Sequence, residues 1–70
     1  MIAFIEVTDA NGNPGHIRAD AVEAMSVEAE TSITRVFVAQ GGFYRIKESQ
    51  ADVLAKLRDI ESLRDLEGMN

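Results

Sequence analysis

Residues 40–49 read Gln-Gly-Gly-Phe-Tyr-Arg-Ile-Lys-Glu-Ser and join two kinds of secondary structure without a break. Residues 34–39 precede this stretch and are rich in β-branched and aromatic side chains, as in a strand that enters a tight hairpin. The second strand leads to Ser49, a residue type that caps helices by accepting a hydrogen bond from a backbone N–H. The segment therefore predicts a hairpin that runs directly into a helix, as in an α+β fold.

The register of this hairpin decides which side chains face the core. A two-residue loop at residues 41–42 would place Val36 opposite Lys47 and would put charge on the buried face. A three-residue loop at residues 40–42, which we predict, places Val36 opposite Ile46. The inward face then holds Val36, Val38, Tyr44 and Ile46, and the other face holds Arg35, Phe37, Phe43, Arg45 and Lys47.

A strand and a turn are predicted at the start of the chain. Residues 2–8 are rich in Ile, Phe and Val, and both faces of the alternation carry apolar side chains. We therefore expect this strand to be central or covered on both sides. Residues 9–15 combine Asp, Asn, Gly and Pro, which predicts a turn, and a short strand is expected at residues 16–18.

Two weaker signals connect that strand to the hairpin. Residues 18–22 predict a single helical turn with Asp20 as its cap. Residues 23–30 then alternate as a half-buried strand does, with Met25 and Val27 facing inward.

The C-terminal segment has the pattern of an amphipathic helix. We predict that Ser49 caps a helix from Gln50 to about Leu66. Its apolar stripe consists of Val53, Leu57 and Ile60. Leu63 and Leu66 leave this stripe, because Arg64 occupies the position that would continue it. Either the last turns meet a second chain or they fray.

Together these elements predict one α+β domain over residues 1–67, a strongly bent antiparallel meander of four to five strands with one C-terminal helix. Residues 68–70 are expected to form a disordered tail. A chain of 70 residues has one small core that is marginally stable alone. A homo-oligomer is therefore an open alternative to a monomer.

Composition excludes several classes of protein. The chain has no Cys, so disulfides and thiolate metal sites are ruled out, and a cytoplasmic location is expected. Its apolar share of 46% is that of a folded domain. The net charge of −5 disfavours general binding to nucleic acid or to anionic membranes. No segment reaches the roughly 20 apolar residues of a membrane span.

The sequence contains no motif for catalysis, a cofactor or a metal. Four residues superficially resemble a calcium loop: Asp9, Asn11, Asn13 and Asp20. Pro14 occupies the position where such a loop needs Gly, and the flanks are not helical. His16 is the single histidine, and no nucleophile lies in a catalytic context around it. We therefore expect a non-enzymatic protein without a cofactor.

The outward face of the hairpin is the candidate binding surface, because it gathers basic and aromatic side chains. Arg35 is expected opposite Lys47, a like-charge pair that an anion would relieve. Neutralisation by Glu6 or Glu28, or cover of Phe37 by the helix, would instead make this face structural. As a functional surface it suits a protein partner, or single-stranded nucleic acid, which the net charge disfavours.

The helix offers two further candidate surfaces. Leu63 and Leu66 complete the set of candidate partner-binding residues with the five residues of the hairpin face. Alternatively, the carboxylates Asp52, Asp59, Glu61 and Asp65 would let a mobile-element-encoded acidic protein bind a basic partner.

A wider pattern in the chain resembles a known family. The pattern comprises residues 5–8, an Asn-Gly turn at residues 11–12, residues 20–23, a strand at residues 33–38, Gly42, residues 44–49 and Val53. Over residues 2 to about 60 it is similar to the small flagellar FlbD-type (swarming-motility) family. The resemblance implies a small non-enzymatic accessory protein linked to the function of the flagellar motor.

Overall fold

The computed structural model describes the backbone of residues 3–68 and the side chains of residues 3–61. Within residues 3–68, five strands, one short 3₁₀ helix and one C-terminal α-helix form an α+β fold, as predicted. The elements are β1 (Phe4–Thr8), β2 (Pro14–Arg18), a 3₁₀ helix (Ala19–Ala21), β3 (Val22–Val27), β4 (Thr34–Val38), β5 (Phe43–Ile46) and α1 (Gln50–Gly68).

The strands form two antiparallel sheets that meet at one corner. β1 pairs with β2, and the second sheet has the order β3-β4-β5. At the corner, the Lys47 N–H donates to the Thr8 carbonyl at 2.8 Å, and the Ala10 N–H donates to the Arg45 carbonyl at 3.0 Å. These bonds, with an isolated bridge between Asp9 and Ile46, join the end of β1 to the end of β5.

The turn between β1 and β2 is held by Asp9. Its carboxylate accepts hydrogen bonds from the N–H groups of Asn11 and Asn13, each at 2.9 Å. These bonds, led by the one from Asn13, lower the pKa of Asp9. β2 begins at Pro14, two residues before the predicted strand, since Pro is compatible with the first residue of a strand.

A small apolar core lies between the two sheets and the helix. Its buried members are Ile5, Val7, Ile17, Val36, Ile46 and Val53. The expectation that β1 is covered on both sides is wrong. Its alternate residues Phe4 and Glu6 are exposed, with Phe4 at 56%. Only one face of β1 packs on the core, and the other meets solvent.

The connection from β2 to β3 has the predicted helical turn but lacks the predicted cap. Among the side chains of residues 3–61, none caps the 3₁₀ helix, and Asp20 pairs instead with the Nε of Arg18 at 2.7 Å. β3 then contains a register shift between Val22 and Ala24. Met25 packs against the core as predicted.

The inward placement of Val27 fails in part. Val27 shares the strand parity of Met25, but its side chain is 50% exposed. β3 is the edge of its sheet, and Val27 lies at the end of that edge strand, away from the buried cluster. The alternation therefore gives the right face, but the core does not extend far enough to cover this residue.

The hairpin loop between β4 and β5 has the predicted length but lies one residue earlier, at residues 39–41. The Gly41 N–H donates to the Val38 carbonyl at 3.0 Å, and the Val38 N–H donates to the Gly42 carbonyl at 3.4 Å. Gly41 has a φ of +97°, the left-handed conformation that closes such a loop.

The register of the hairpin is therefore shifted by two residues from the predicted one. Val36 lies opposite Tyr44, and Thr34 lies opposite Ile46. A shift of two residues preserves which face each side chain occupies, because the side-chain period of a strand is two. Val36 and Ile46 are buried as predicted, whereas Tyr44 is 56% exposed beyond the core.

The helix begins as the sequence predicted. The Ser49 hydroxyl accepts a hydrogen bond from the Asp52 N–H at 3.1 Å, which satisfies one of the unpaired donors of the first turn. Val53 is fully buried, and Leu57 and Ile60 pack against the core.

The side chains of Leu63 and Leu66 lie outside the described residues. Gly68, predicted to be in the tail, belongs to the helix, and residues 69–70 are not described.

The residue before the helix cap connects three elements. The Glu48 carboxylate accepts a hydrogen bond from the Thr8 N–H at 2.7 Å, and its carbonyl accepts one from the buried Thr34 hydroxyl at 2.7 Å. Burial opposes ionisation of Glu48, but hydrogen bonds from Thr8 and from its own backbone, together with the charge of Lys56, outweigh burial and lower the pKa of Glu48. Glu48 thus fixes the start of the helix against both sheets.

Candidate functional site

The β3-β4-β5 sheet presents one side to the core and the other to solvent. We call this second side the outer face and define it by Arg35 and Phe37 of β4, Phe43 and Arg45 of β5, and Glu28, which follows β3. Each of the four strand residues has a neighbour of the same face directly across the ladder, because Arg35 pairs with Arg45 and Phe37 with Phe43. The predicted face is therefore confirmed for these four residues.

An aromatic pair forms one half of the outer face. The rings of Phe37 and Phe43 have centroids 5.4 Å apart and are tilted by 46°, a geometry typical of favourable aromatic contacts. Phe43 is 46% exposed. The Arg35 guanidinium lies 5.2 Å from the centroid of the Phe43 ring, within the range of a cation–π interaction. The pair is thus held in one arrangement while a large part of it contacts solvent.

A glutamate bridged by two arginines forms the other half. The Glu28 carboxylate accepts hydrogen bonds from the Arg45 Nε at 2.7 Å and from the Arg35 Nε at 2.9 Å. A second nitrogen of Arg45 donates at 3.0 Å, and the Thr31 hydroxyl donates at 2.7 Å. The side chain of Glu28 is only 11% exposed, whereas those of Arg35 and Arg45 are 43% and 45% exposed.

This network fixes the charge of the outer face. Hydrogen bonds from Arg45 and then Arg35 hold the pKa of Glu28 well below its usual range, and the same contact raises the pKa of Arg45. Glu28 is therefore ionised at neutral pH. Two guanidinium groups share one carboxylate, which leaves one positive charge in excess beside an exposed aromatic pair.

The loop between β3 and β4 brings Glu28 into this position. The Glu28 N–H donates to the Ile33 carbonyl at 2.9 Å, which extends the ladder by one pair beyond β3. Ser32 adopts a φ of +60°, so the chain reverses tightly and the Thr31 hydroxyl reaches the carboxylate. Glu28 shares the strand parity of Ser26, which is why its side chain lies on the outer face.

Sequence reasoning placed Glu28 only among the residues able to neutralise the hairpin face. Glu28 neutralises one of the two guanidinium charges, which supports the structural interpretation for that charge, but the second guanidinium charge and the exposed Phe43 are not accounted for in this way. Glu6 lies on β1, 3.7 Å from His16. The sequence signal for Glu28 was its spacing of two residues from Ser26, which places both side chains on the outward side of the strand. Ser26 in turn pairs with Arg35. The predicted contact of Arg35 with Lys47 is wrong, because the shifted register places Arg45 there.

Lys47 lies away from the other members of the predicted site. It follows the last residue of β5, and its Nζ approaches the turn between β1 and β2, 3.7 Å from where a Cβ on Gly12 would stand. The structure therefore brings together Arg35, Phe37, Phe43 and Arg45 but not Lys47. The predicted contributions of Leu63 and Leu66 fall on side chains outside the described residues.

A second surface feature is an open cleft of about 450 Å³ between the first hairpin and β5. Its lining includes Ile17, His16 and Tyr44, and also Phe43 and Arg45 of the outer face. His16 is more than half exposed, with Glu6 at 3.7 Å from its Nε2. Among the described residues, no cluster of side chains could hold a metal ion.

Comparisons with known proteins give no relative for this chain. No protein-family model matches it, and neither the curated proteins nor the solved structures contain a significant match. Within residues 3–68, no helix combines the length and the apolar character that a membrane crossing requires. The candidate site therefore rests on the geometry of the outer face.

Proposed function

We propose that this chain is a small non-enzymatic accessory or regulatory protein that acts by binding another protein through its outer face. The single observation that carries the proposal is the arrangement of Phe43, which is 46% exposed and is held by contacts with Phe37 and Arg35. Phe and Arg are among the residue types that are enriched in the buried centre of protein interfaces.

The rigidity of the outer face supports this function. Side chains that are already ordered lose less conformational entropy when a partner binds. Glu28 orders both guanidinium groups, and the Arg35 guanidinium in turn lies over Phe43. The surface thus offers a fixed apolar patch beside a fixed positive charge, which suits an apolar or aromatic side chain flanked by a carboxylate on the partner.

A protein partner is favoured over single-stranded nucleic acid by charge. Glu28 neutralises one of the two guanidinium groups, and Lys47 lies outside the cluster, so one excess positive charge remains. The whole chain carries a net charge of −5, which opposes the approach of a polyanion. We propose that this interaction takes place in the cytoplasm. Because residues 44–49 resemble the FlbD-type family, we further propose that the partner belongs to the flagellar machinery.

Site-specific photo-crosslinking in the cells that make the protein tests this proposal. A photoreactive phenylalanine analogue replaces Phe43 in one variant and Phe4 in a control, since Phe4 is also exposed, at 56%, but lies on the other sheet. We expect a discrete heavier adduct from position 43 and none from position 4. Arg35→Glu in the position-43 variant should remove that adduct while the far-ultraviolet circular dichroism is unchanged.

Two outcomes would contradict the proposal. One is the same set of adducts from both positions, which would mean that any exposed aromatic position reacts. The other is retention of the position-43 adduct after Arg35→Glu. A further outcome concerns nucleic acid. If the protein retards a single-stranded oligonucleotide at low salt and loses this binding steeply as salt is added, the partner is nucleic acid and not a protein.

A further inference from the structure

The two edges of the strand assembly are protected to different degrees. β2 begins with Pro14 and carries the exposed Arg18, and prolines and charges on an edge discourage pairing with another chain. β3 has two such features, the exposed Glu23 and the register shift between Val22 and Ala24, and both lie in the first half of the strand. The remainder of β3, residues 24–27, contains neither charge nor proline and ends in the half-exposed Val27.

The hydrogen-bond pattern identifies which backbone groups β3 presents at this edge. In an antiparallel ladder, residues bond to the neighbouring strand in alternation. The Glu28 N–H donates to the Ile33 carbonyl, so every second residue counted back from Glu28 bonds to β4. These residues are Ser26, which pairs with Arg35, and Ala24, which pairs with Phe37. The N–H and C=O groups of Met25 and Val27 therefore point away from the sheet, and within the described residues they have no backbone partner.

We infer that β3 pairs with β3 of a second copy of this chain, antiparallel, about a two-fold axis at Ser26. In this register, Met25 of one copy lies opposite Val27 of the other. Each such pair exchanges two backbone hydrogen bonds, so the dimer forms four bonds from groups that the monomer leaves at its edge. The two sheets become one continuous sheet of six strands.

Self-complementarity is what favours a second copy over an unrelated strand. Met25 and Val27 lie on the same side of β3, the side that packs against the core. Across the two-fold axis, the half-exposed Val27 of each copy contacts the partly buried Met25 of the other, so the pairing covers apolar surface on both chains. Glu28 lies opposite Ala24 in this register, and no like-charge pair forms.

The dimer would also align the two outer faces. Ser26 pairs with Arg35 inside each sheet, so the two arginine–phenylalanine clusters lie on the same side of the six-stranded sheet, one to each side of the axis. This pairing does not depend on the proposed protein binding, because it uses the backbone edge of β3 instead of the outer-face side chains.

Amide hydrogen exchange tests the pairing without any substitution. Ala24 and Ser26 bond to β4 in either state and serve as internal controls within the same strand. The amides of Met25 and Val27 should exchange slower by roughly tenfold or more as the concentration is raised from micromolar to millimolar. Fast exchange of these two amides at every concentration, with Ala24 and Ser26 protected, would overturn the inference.

Light scattering on matched variants gives a second test. The wild-type protein should approach twice its chain mass of 7.7 kDa at high concentration. Val27→Lys should remain a monomer, because a charge on the edge blocks pairing. Phe4→Lys removes a similarly exposed apolar side chain from β1 and should still dimerise. A monomeric wild type, or equal behaviour of the two variants, would overturn the inference, and failure of the outer-face crosslink would not.

Discussion

The inner and outer faces of the β3-β4-β5 sheet alternate along the same strands, yet different forces hold them. On the inner face, Val36, Ile46 and Thr34 are almost completely buried. The Thr34 hydroxyl donates its hydrogen bond within the chain, to the Glu48 carbonyl. On the outer face, Phe43 and the two guanidinium groups are ordered by their neighbours but remain nearly half exposed. The inner face therefore holds the fold together by burial, whereas the outer face keeps ordered aromatic and charged groups in contact with solvent.

The largest expected effect is on the inner face of β5. Ile46→Ala removes a fully buried side chain and should lower the free energy of unfolding by about 2–5 kcal/mol, a large part of the roughly 4–10 kcal/mol expected for a domain of this size. Tyr44→Ala is the control on the same strand and face, and its cost should be below about 1 kcal/mol because Tyr44 is exposed. Equal costs in urea unfolding would show that the core extends over Tyr44.

A smaller effect is expected when a buried polar contact is removed. Thr34→Val keeps the shape of the side chain but removes the donor to the Glu48 carbonyl, and should cost about 1–3 kcal/mol. Thr31→Val removes a hydroxyl that donates to Glu28 on the solvent side and should cost below about 1 kcal/mol. A Thr31 variant less stable than the Thr34 variant, in the same urea titration, would reverse the assignment of the two faces.

The contribution of Glu28 should depend on pH. Because its pKa is lowered in the folded state, its stabilising effect is complete above the unfolded pKa, near 4.5, and is lost as the pH falls toward the folded value. Glu28→Gln should therefore lower the melting temperature at neutral pH, and the difference from wild type should shrink below about pH 5. The exposed Glu30 provides the control variant, Glu30→Gln. A difference for Glu28→Gln that is constant or grows on acidification would contradict the network.

The smallest effect on stability is expected for Arg35. Arg35→Gln removes one hydrogen bond to Glu28 and the contact with the Phe43 ring, but Arg45 still holds the carboxylate. The expected cost is below about 1 kcal/mol, as for exposed cation–π contacts and ion pairs. Partner crosslinking from position 43 should nevertheless fall strongly. If Arg35→Gln instead unfolds the protein, and the molecules that remain folded still crosslink as the wild type does, Arg35 has a structural role and not a binding role.

Much of this molecule follows from local sequence signals. The Ser49 cap, the helical stripe beginning at Val53 and the α+β class are all encoded within short segments, and the structure confirms them. The faces of the hairpin were also predictable, because alternation with a period of two survives a register error of two residues. The error itself arose because Gly41 and Gly42 both permit positive φ, so local sequence does not distinguish the two loop positions.

The remaining differences depend on how far tertiary contacts extend. The alternation placed Val27 inward, but strand order makes β3 an edge, and no local signal gives that order. Glu28 was recognisable as an outward residue, yet its contact with both arginines depends on the tight reversal at Ser32 and on the observed register. Lys47 was predicted on the outward face because it is two residues after Arg45, whereas the strand ends one residue earlier, at Ile46.

A comparison of Val36→Ala with Phe43→Ala in one urea-unfolding experiment tests most directly which face of the sheet maintains the fold. Val36→Ala deletes fewer atoms but opens a cavity in the inner face, and should cost roughly 1.5–3 kcal/mol. Phe43→Ala deletes a whole ring from the outer face and should cost about 1 kcal/mol or less. A greater loss from Val36 than from Phe43 is the predicted result. A greater loss from Phe43 would mean that the outer face belongs to the core and would contradict its role as a binding surface.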